Sequence, residues 1–249
     1  SSLDNCHFKG GKDMLCLYLN NNENSNMFLG KSLRLGGSRK IYENNDYYFG
    51  DLSAILIDNL PVWAELISTP NNKISLMDKW DEKIAAIIKG TLQDDVRSLA
   101  GVPSWMLTLL NKLLETTGKK YIDEIWKNLE VYFHGGVSFK PYKSEFNNII
   151  SNKKFKYYEV YNASEGFFAI QDKNESDELL LMLDYGVFYE FIEINNTNKS
   201  EKIIDLSRVK VGINYALLIT TNSGLWRYKI GDTIIFTSLK PFRIKISGR

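Results

Sequence analysis

Apolar positions along the chain keep a helical period at first and give way to short strand-like runs, with the change near residue 170. Trp80, Ile84, Ile87 and Ile88 recur three and four apart, which marks one packing face of a helix. Pro61 stands where a helix through residues 62–66 would open. Pro103 followed by Ser104 predicts a helix over 105–114 with Ser104 as its N-cap. Ile122, Ile125, Trp126 and Leu129 predict a further amphipathic segment. Residues 129–133 then read as a strand that stops at Gly135-Gly136. Pro141 opens a helix over 142–150, and 155–160 read as a second strand. Strand, helix and strand in that order predict a βαβ unit and a parallel sheet, whose ligands sit beyond the carboxyl ends of the strands. The loops at Gly135 and Ser164 both fall at that end.

From residue 178 on, β-formers gather at 179–182, 187–194, 215–221, 225–228, 233–236 and 242–246. Turns are expected at Thr221-Asn222-Ser223-Gly224 and at Lys229-Ile230-Gly231-Asp232. The fold class is therefore α/β, with a parallel or mixed sheet flanked by helices over residues 1–170 and a smaller β-rich subdomain over 171–249. Residues 1–50 carry no sustained period. They are punctuated by Gly10-Gly11, Gly30 and Gly36-Gly37 around short apolar runs such as 14–19. Leu35-Gly36-Gly37-Ser38-Arg39-Lys40 lacks the GxxxxGK[ST] spacing and reads as a turn, the alternative being a backbone contact with phosphate.

Composition removes several function classes. Hydrophobic residues make up 44% and charged residues 24%, as in a soluble globular protein with a sizeable core. A net charge of +1 without a basic stripe excludes binding driven by nucleic-acid phosphates. Two cysteines, Cys6 and Cys16, and two histidines, His7 and His134, argue for a reducing, cytoplasmic setting and against zinc. No run approaches the roughly 20 apolar residues of a membrane helix, so no membrane partner is expected. The chain opens on Ser1-Ser2-Leu3-Asp4 with no initiator Met, which reads as a cut into a longer protein.

Three loops carry candidate chemistry. In Tyr161-Asn162-Ala163-Ser164-Glu165-Gly166, a strand-end Tyr can stack on adenine, a Ser can meet phosphate and a Glu can hold Mg²⁺; Ser164-Glu165 is equally the pattern of a helix cap. Asp232, in a Gly-Asp turn, can accept two ribose hydroxyls, or simply end a hairpin. Gly135-Gly136 allows a flat ligand close to the backbone, or forms a plain turn. Two histidines supply no convincing nucleophile–base set.

Four segments in order resemble one family. They are Tyr132-Phe133-His134-Gly135-Gly136-Val137, Tyr161 to Phe168, Gly224 to Asp232, and Pro241 to Arg249. Their order and spacing are similar to the GH3 family of auxin-responsive acyl-acid amido synthetases, within the adenylate-forming superfamily. Lys9-Gly10-Gly11-Lys12-Asp13 and Leu35-Gly36-Gly37-Ser38 resemble its bacterial branch. The resemblance implies ATP and Mg²⁺ as cofactors. Gly135 and Gly136 would lie along the adenine and Tyr161 would stack on it. Ser164 would face the α-phosphate and Glu165 would bind the metal. Asp232 would take the ribose, and Arg249 would stand near it at the hinge to a last domain. A small carboxylic acid would be adenylated and passed to an amine or amino acid. The alternatives are a thiol acceptor, or a nucleotide-binding module without catalysis. The family's phosphate loop and its last domain have no counterpart here, which implies a fragment of the N-terminal domain that is not competent alone.

Overall fold

The computed structural model describes residues 3–38, 42–44, 47–194 and 202–248. Arg249, Arg39, Lys40 and the opening Ser1-Ser2 lie outside the described residues. The chain divides into two compact units, Asn24–Tyr158 on the one hand and Ser1–Glu23 with Glu159–Arg249 on the other. The sequence puts its boundary near residue 170 and does not set the first 23 residues apart from their neighbours in the chain.

The unit Asn24–Tyr158 holds four parallel strands in the order Val131–Gly135, Val96–Gly101, Lys31–Leu35, Ser68–Thr69. Helix Pro103–Thr117 makes the crossover between the first two of these. Its inward side chains Met106, Leu109, Leu110 and Leu113 keep the three- and four-residue spacing of one face. They pack with Leu33, Leu35, Leu99 and Tyr132 of the strands and with Ile84, Ile87 and Ile88 of helix Trp80–Thr91. Pro103 occupies the first turn, where its missing N–H costs nothing, so the cap position falls on Val102 and not on Ser104. Gly118, at φ +65°, ends the helix in the left-handed conformation that a side chain resists. Helix Val62–Leu66 starts after Pro61, as its sequence predicts. The amphipathic pattern at 122–129 yields only the short turn Ile122–Glu124. Its apolar side chains Ile122, Trp126 and Leu129 are buried in the same core without a continuous helix.

The second unit is antiparallel. Its strands run in the order Ile203–Asp205, Val187–Glu193, Asn214–Thr221, Tyr228–Leu239, Phe242–Gly248, Leu179–Leu181, Gly166–Ile170, Lys156–Ala163, the last strand starting within the other unit. Aromatic side chains fill its core, among them Phe167, Phe168, Tyr189, Phe191, Tyr215 and Phe236. Helix Lys9–Asn21 packs here through Gly10. A Cβ at Gly10 would stand 2.6 Å from the Phe167 ring. A glycine that reads as a loop mark in sequence is thus a helical position cleared for an aromatic side chain.

Candidate functional site

The predicted turn Lys229–Asp232 is not a turn between strands. It is a bulge inside one twelve-residue strand, Tyr228–Leu239. Leu218 pairs with Lys229 and Ala216 with Thr233, so Ile230, Gly231 and Asp232 all stand opposite Leu217. Gly231, at φ +96°, makes this detour possible. The detour aims Asp232, whose carboxylate accepts a hydrogen bond of 2.7 Å from the Tyr161 hydroxyl. Residues 71 apart in sequence are joined by it.

Tyr161 is 5% exposed and lies against Phe168, with ring centroids 4.9 Å apart. Burial first, then the Asp232 carboxylate and the nearby charge of Glu165, raise its phenol far above the ordinary range. Tyr161 therefore stays protonated and donates. Ser164 and Glu165 form the two-residue loop of the hairpin between Lys156–Ala163 and Gly166–Ile170, with Ala163 paired to Gly166. They do not cap a helix. Ser164 is exposed and Glu165 half-buried, and neither side chain has a hydrogen bond or ion pair among the described residues. Tyr161, Glu165 and Asp232 thus belong to one neighbourhood of this unit, with Ser164 in the adjoining loop.

Upstream of the bulge, Arg227 holds φ +46°, uncommon for a residue with a side chain. Its amide donates to the Thr220 hydroxyl at 3.0 Å, and its guanidinium grips Glu190 with two bonds of 2.9 and 2.8 Å. This clamp fixes the chain four residues before Gly231. Single-residue reading misses it, because Glu190 sits between Tyr189 and Phe191 in a strand that reads as core-forming.

Gly135 and Gly136 belong to the other unit. Gly135 closes strand Val131–Gly135, and Gly136 follows at φ +83°, exposed. His134, directly before them, is 2% exposed and stacks on Phe139 at 4.0 Å. The glycine segment at 35–38 is occupied by the protein itself. The buried Lys83 donates to the carbonyls of Gly36 and Gly37 at 2.7 and 2.8 Å, and the Gly37 amide donates to Ser53 at 2.8 Å. Lys83 has a signal in the sequence, since it lies three residues after Trp80 and four before Ile87 on the buried face.

The architecture has known counterparts. An acyl acid amido synthetase, AtGH3.15, described in complex with 2,4-DB, superposes with a TM-score of 0.76 over 99% of this chain and 52% of its own, at 14% identity. A 2-hydroxyisobutyryl-CoA ligase follows at TM-score 0.55, 12% identity, covering 88% of this chain and 48% of its own. The fold is thus one shared by an acyl acid amido synthetase and a CoA ligase. A model of the GH3 family N-terminal domain matches residues 3–155, and a model of the GH3 family central domain matches residues 180–249. The chain belongs to the GH3 family. Among its relatives is the probable indole-3-acetic acid-amido synthetase GH3.9 of Oryza sativa subsp. japonica, 32% identical over 80 residues, or 31% of this chain and 18% of that protein. Another is indole-3-acetic acid-amido synthetase GH3.4 of Arabidopsis thaliana, 24% identical over 185 residues, or 65% of this chain and 30% of that protein.

Two expectations are corrected by these matches. The relatives are plant amido synthetases, so the assignment to a bacterial branch does not stand. The central-domain match over 180–249 also overturns the description as a fragment of the N-terminal domain, since the chain matches both the N-terminal and the central domain. The chain spans about half the length of the amido synthetase structure it resembles, 52%. Among the described residues, no helix is long and apolar enough to cross a membrane.

Proposed function

We propose that this chain serves an ATP-dependent acyl-acid amido synthetase. A carboxylate attacks the α-phosphate of ATP and displaces pyrophosphate. The nitrogen of an amine or amino acid then attacks the acyl carbon, loses its proton, and AMP leaves. The observation that carries the reading is the Asp232 carboxylate, thrust out by a bulge onto the Tyr161 hydroxyl within reach of the Glu165 charge. In this arrangement Asp232 receives ribose hydroxyls, and Tyr161 both steers that carboxylate and flanks the adenine. Ser164 donates toward the α-phosphate. Gly135 and Gly136 lie along the adenine, and Arg249 completes the ribose contacts. The β-rich portion, residues 171–249, supplies the ribose carboxylate, and residues 1–170 supply the adenine and phosphate contacts.

Glu165 is the residue that would hold Mg²⁺ brought by the nucleotide. Such ions are held by one or two carboxylates plus substrate phosphates, so a half-buried Glu165 without an ion pair fits as the single protein ligand. Bound there, Mg²⁺ would neutralise charge developing on the phosphate oxygens. The two free cysteines support a cytoplasmic setting.

The test is ATP–pyrophosphate exchange against a panel of carboxylic acids, followed by amide detection with amino acids. Asp232→Ala is expected to weaken ATP binding about tenfold, the worth of one good charge-assisted contact. Binding is measured by titration with a non-hydrolysable ATP analogue. Unchanged affinity in Asp232→Ala would remove the ribose assignment.

A further inference from the structure

The parallel strands of the Asn24–Tyr158 unit carry two unlike faces. Leu33, Leu35 and Leu99 point into the helical core. The alternate positions on the same two strands are Ser32, Arg34, Ser98 and Ala100, and the register sets Ser32 beside Ser98 and Arg34 beside Ala100. Parallel sheets ordinarily bury both faces under apolar side chains. A strip of two serines and an arginine in the middle of the sheet is therefore an anomaly that stability does not favour.

None of the three polar side chains has a partner among the described residues. Ser98 is fully buried and its hydroxyl makes no hydrogen bond. Ser32 is 8% exposed, and neither it nor the half-buried Arg34 makes a side-chain hydrogen bond or ion pair. The other described arginines behave differently: Arg97, Arg208, Arg227 and Arg243 each pair with an acid. Desolvation, with no carboxylate to offset it, pushes Arg34 down to about 10, which still leaves it charged at neutral pH. A half-buried cation without a counter-ion among the described residues is costly to the fold, and such groups mark places where a ligand brings the missing charge.

The chemistry of that ligand follows from the donors. A guanidinium presents a planar fork that matches a carboxylate, and a serine hydroxyl can add a further bond. Neighbouring cations are engaged elsewhere, Lys31 on the Leu66 carbonyl and Arg97 on Asp95. One free positive charge suits a monoanion better than a phosphate dianion. We propose that Arg34 and Ser98 form a carboxylate-binding site on this face of the sheet, and that its occupant is the carboxylic acid to be activated. The identity of the occupant rests on the amido synthetase reading; the anion site itself does not.

The experiment titrates the 249-residue chain, without nucleotide, with phenylacetate, with uncharged phenylacetamide and with inorganic phosphate. Phenylacetate should bind and raise the melting temperature. Its affinity should fall at least about tenfold in Arg34→Gln and about threefold in Ser98→Ala, yet survive within a few-fold in Arg34→Lys. Phenylacetamide should bind at least about tenfold more weakly than phenylacetate, and phosphate should not displace it. If Arg34→Gln does not fold, Ser98→Ala decides the matter, and phenylacetate affinity unchanged in it overturns the site. The site is overturned if the native chain binds no phenylacetate up to about 10 mM, if Arg34→Gln binds it as the native chain does, or if phosphate displaces it. Loss of pyrophosphate exchange with carboxylate binding intact would count against the reaction alone. Exchange that persists in Arg34→Gln without carboxylate binding would count against this site alone.

Discussion

Replacing His134 by Phe is expected to remove roughly 3 kcal/mol from the stability that the native chain loses between pH 6.5 and pH 4, leaving the share of other groups such as the half-buried His7. His134 is 2% exposed, wedged between Tyr132 and Phe139, and its Nδ1 is buried without a hydrogen-bond partner. Burial first, and the positive charge of Lys143 second, push its imidazole down to about 3. The folded-state value thus lies below the unfolded value near 6.5. Above pH 6.5 both states hold a neutral ring and stability is intact. Below it the unfolded chain takes up a proton that the folded chain refuses, so stability falls with falling pH until the folded ring titrates too. Phenylalanine has the shape to stack on Phe139 and no proton to take up. Urea denaturation of both proteins at pH 7 and pH 4 checks this. Equal losses in the two would mean that the acid limb belongs to other groups.

A second large effect is expected at Gly101, where alanine should cost roughly 3–5 kcal/mol. Gly101 ends its strand at φ +152°, beside Leu35 of the neighbouring strand. A Cβ there would meet the Leu35 carbonyl oxygen at 2.6 Å. That oxygen is backbone, so a rotamer change cannot relieve the contact and the strands themselves must part. The Gly101 carbonyl also accepts from the Tyr132 hydroxyl at 2.9 Å, so the displacement reaches the core. Gly118→Ala is the control. Its φ is +65° but nothing lies within 4 Å of the added carbon, so only the backbone penalty of about 1 kcal/mol remains. Denaturant midpoints that shift equally in the two variants would contradict the steric account.

How far these features can be read from sequence depends on whether their cause is local. Helix Trp80–Thr91 is legible because its isoleucines repeat at the helical period and nothing interrupts them. Helix Lys9–Asn21 is not, because Gly10-Gly11 is a local signal for a turn, whereas Gly10 answers to Phe167, far along the chain. The segment at Asp232 is legible as a special backbone position but not in kind. A Gly-Asp pair looks the same in a hairpin turn and in a bulge, and only pairing with Ala216 and Leu218 decides. Ser164-Glu165 is likewise visible as a polar break, and the partner strand makes it a hairpin loop. Arg34 escapes notice because residues 31–35 do not read as a strand, so the alternation that exposes its oddity has no frame.

The division of the chain has a consequence for the order in which it is built. Residues 24–158 are contiguous, and their internal packing is complete as soon as the last of them has been made. The first 23 residues are different, since they belong with residues 159–249. The Cys6 sulfur accepts from the Phe167 amide across 161 positions, and Lys9 reaches Asp184 across 175. Helix Lys9–Asn21 therefore leaves the ribosome well before the strands that house it, with all of residues 24–158 synthesised in between. During that interval its apolar face, including Met14 and Leu17, has none of its later strands to cover it. Until those strands exist this helix has to stay soluble by its own sequence, a demand that the finished fold no longer displays.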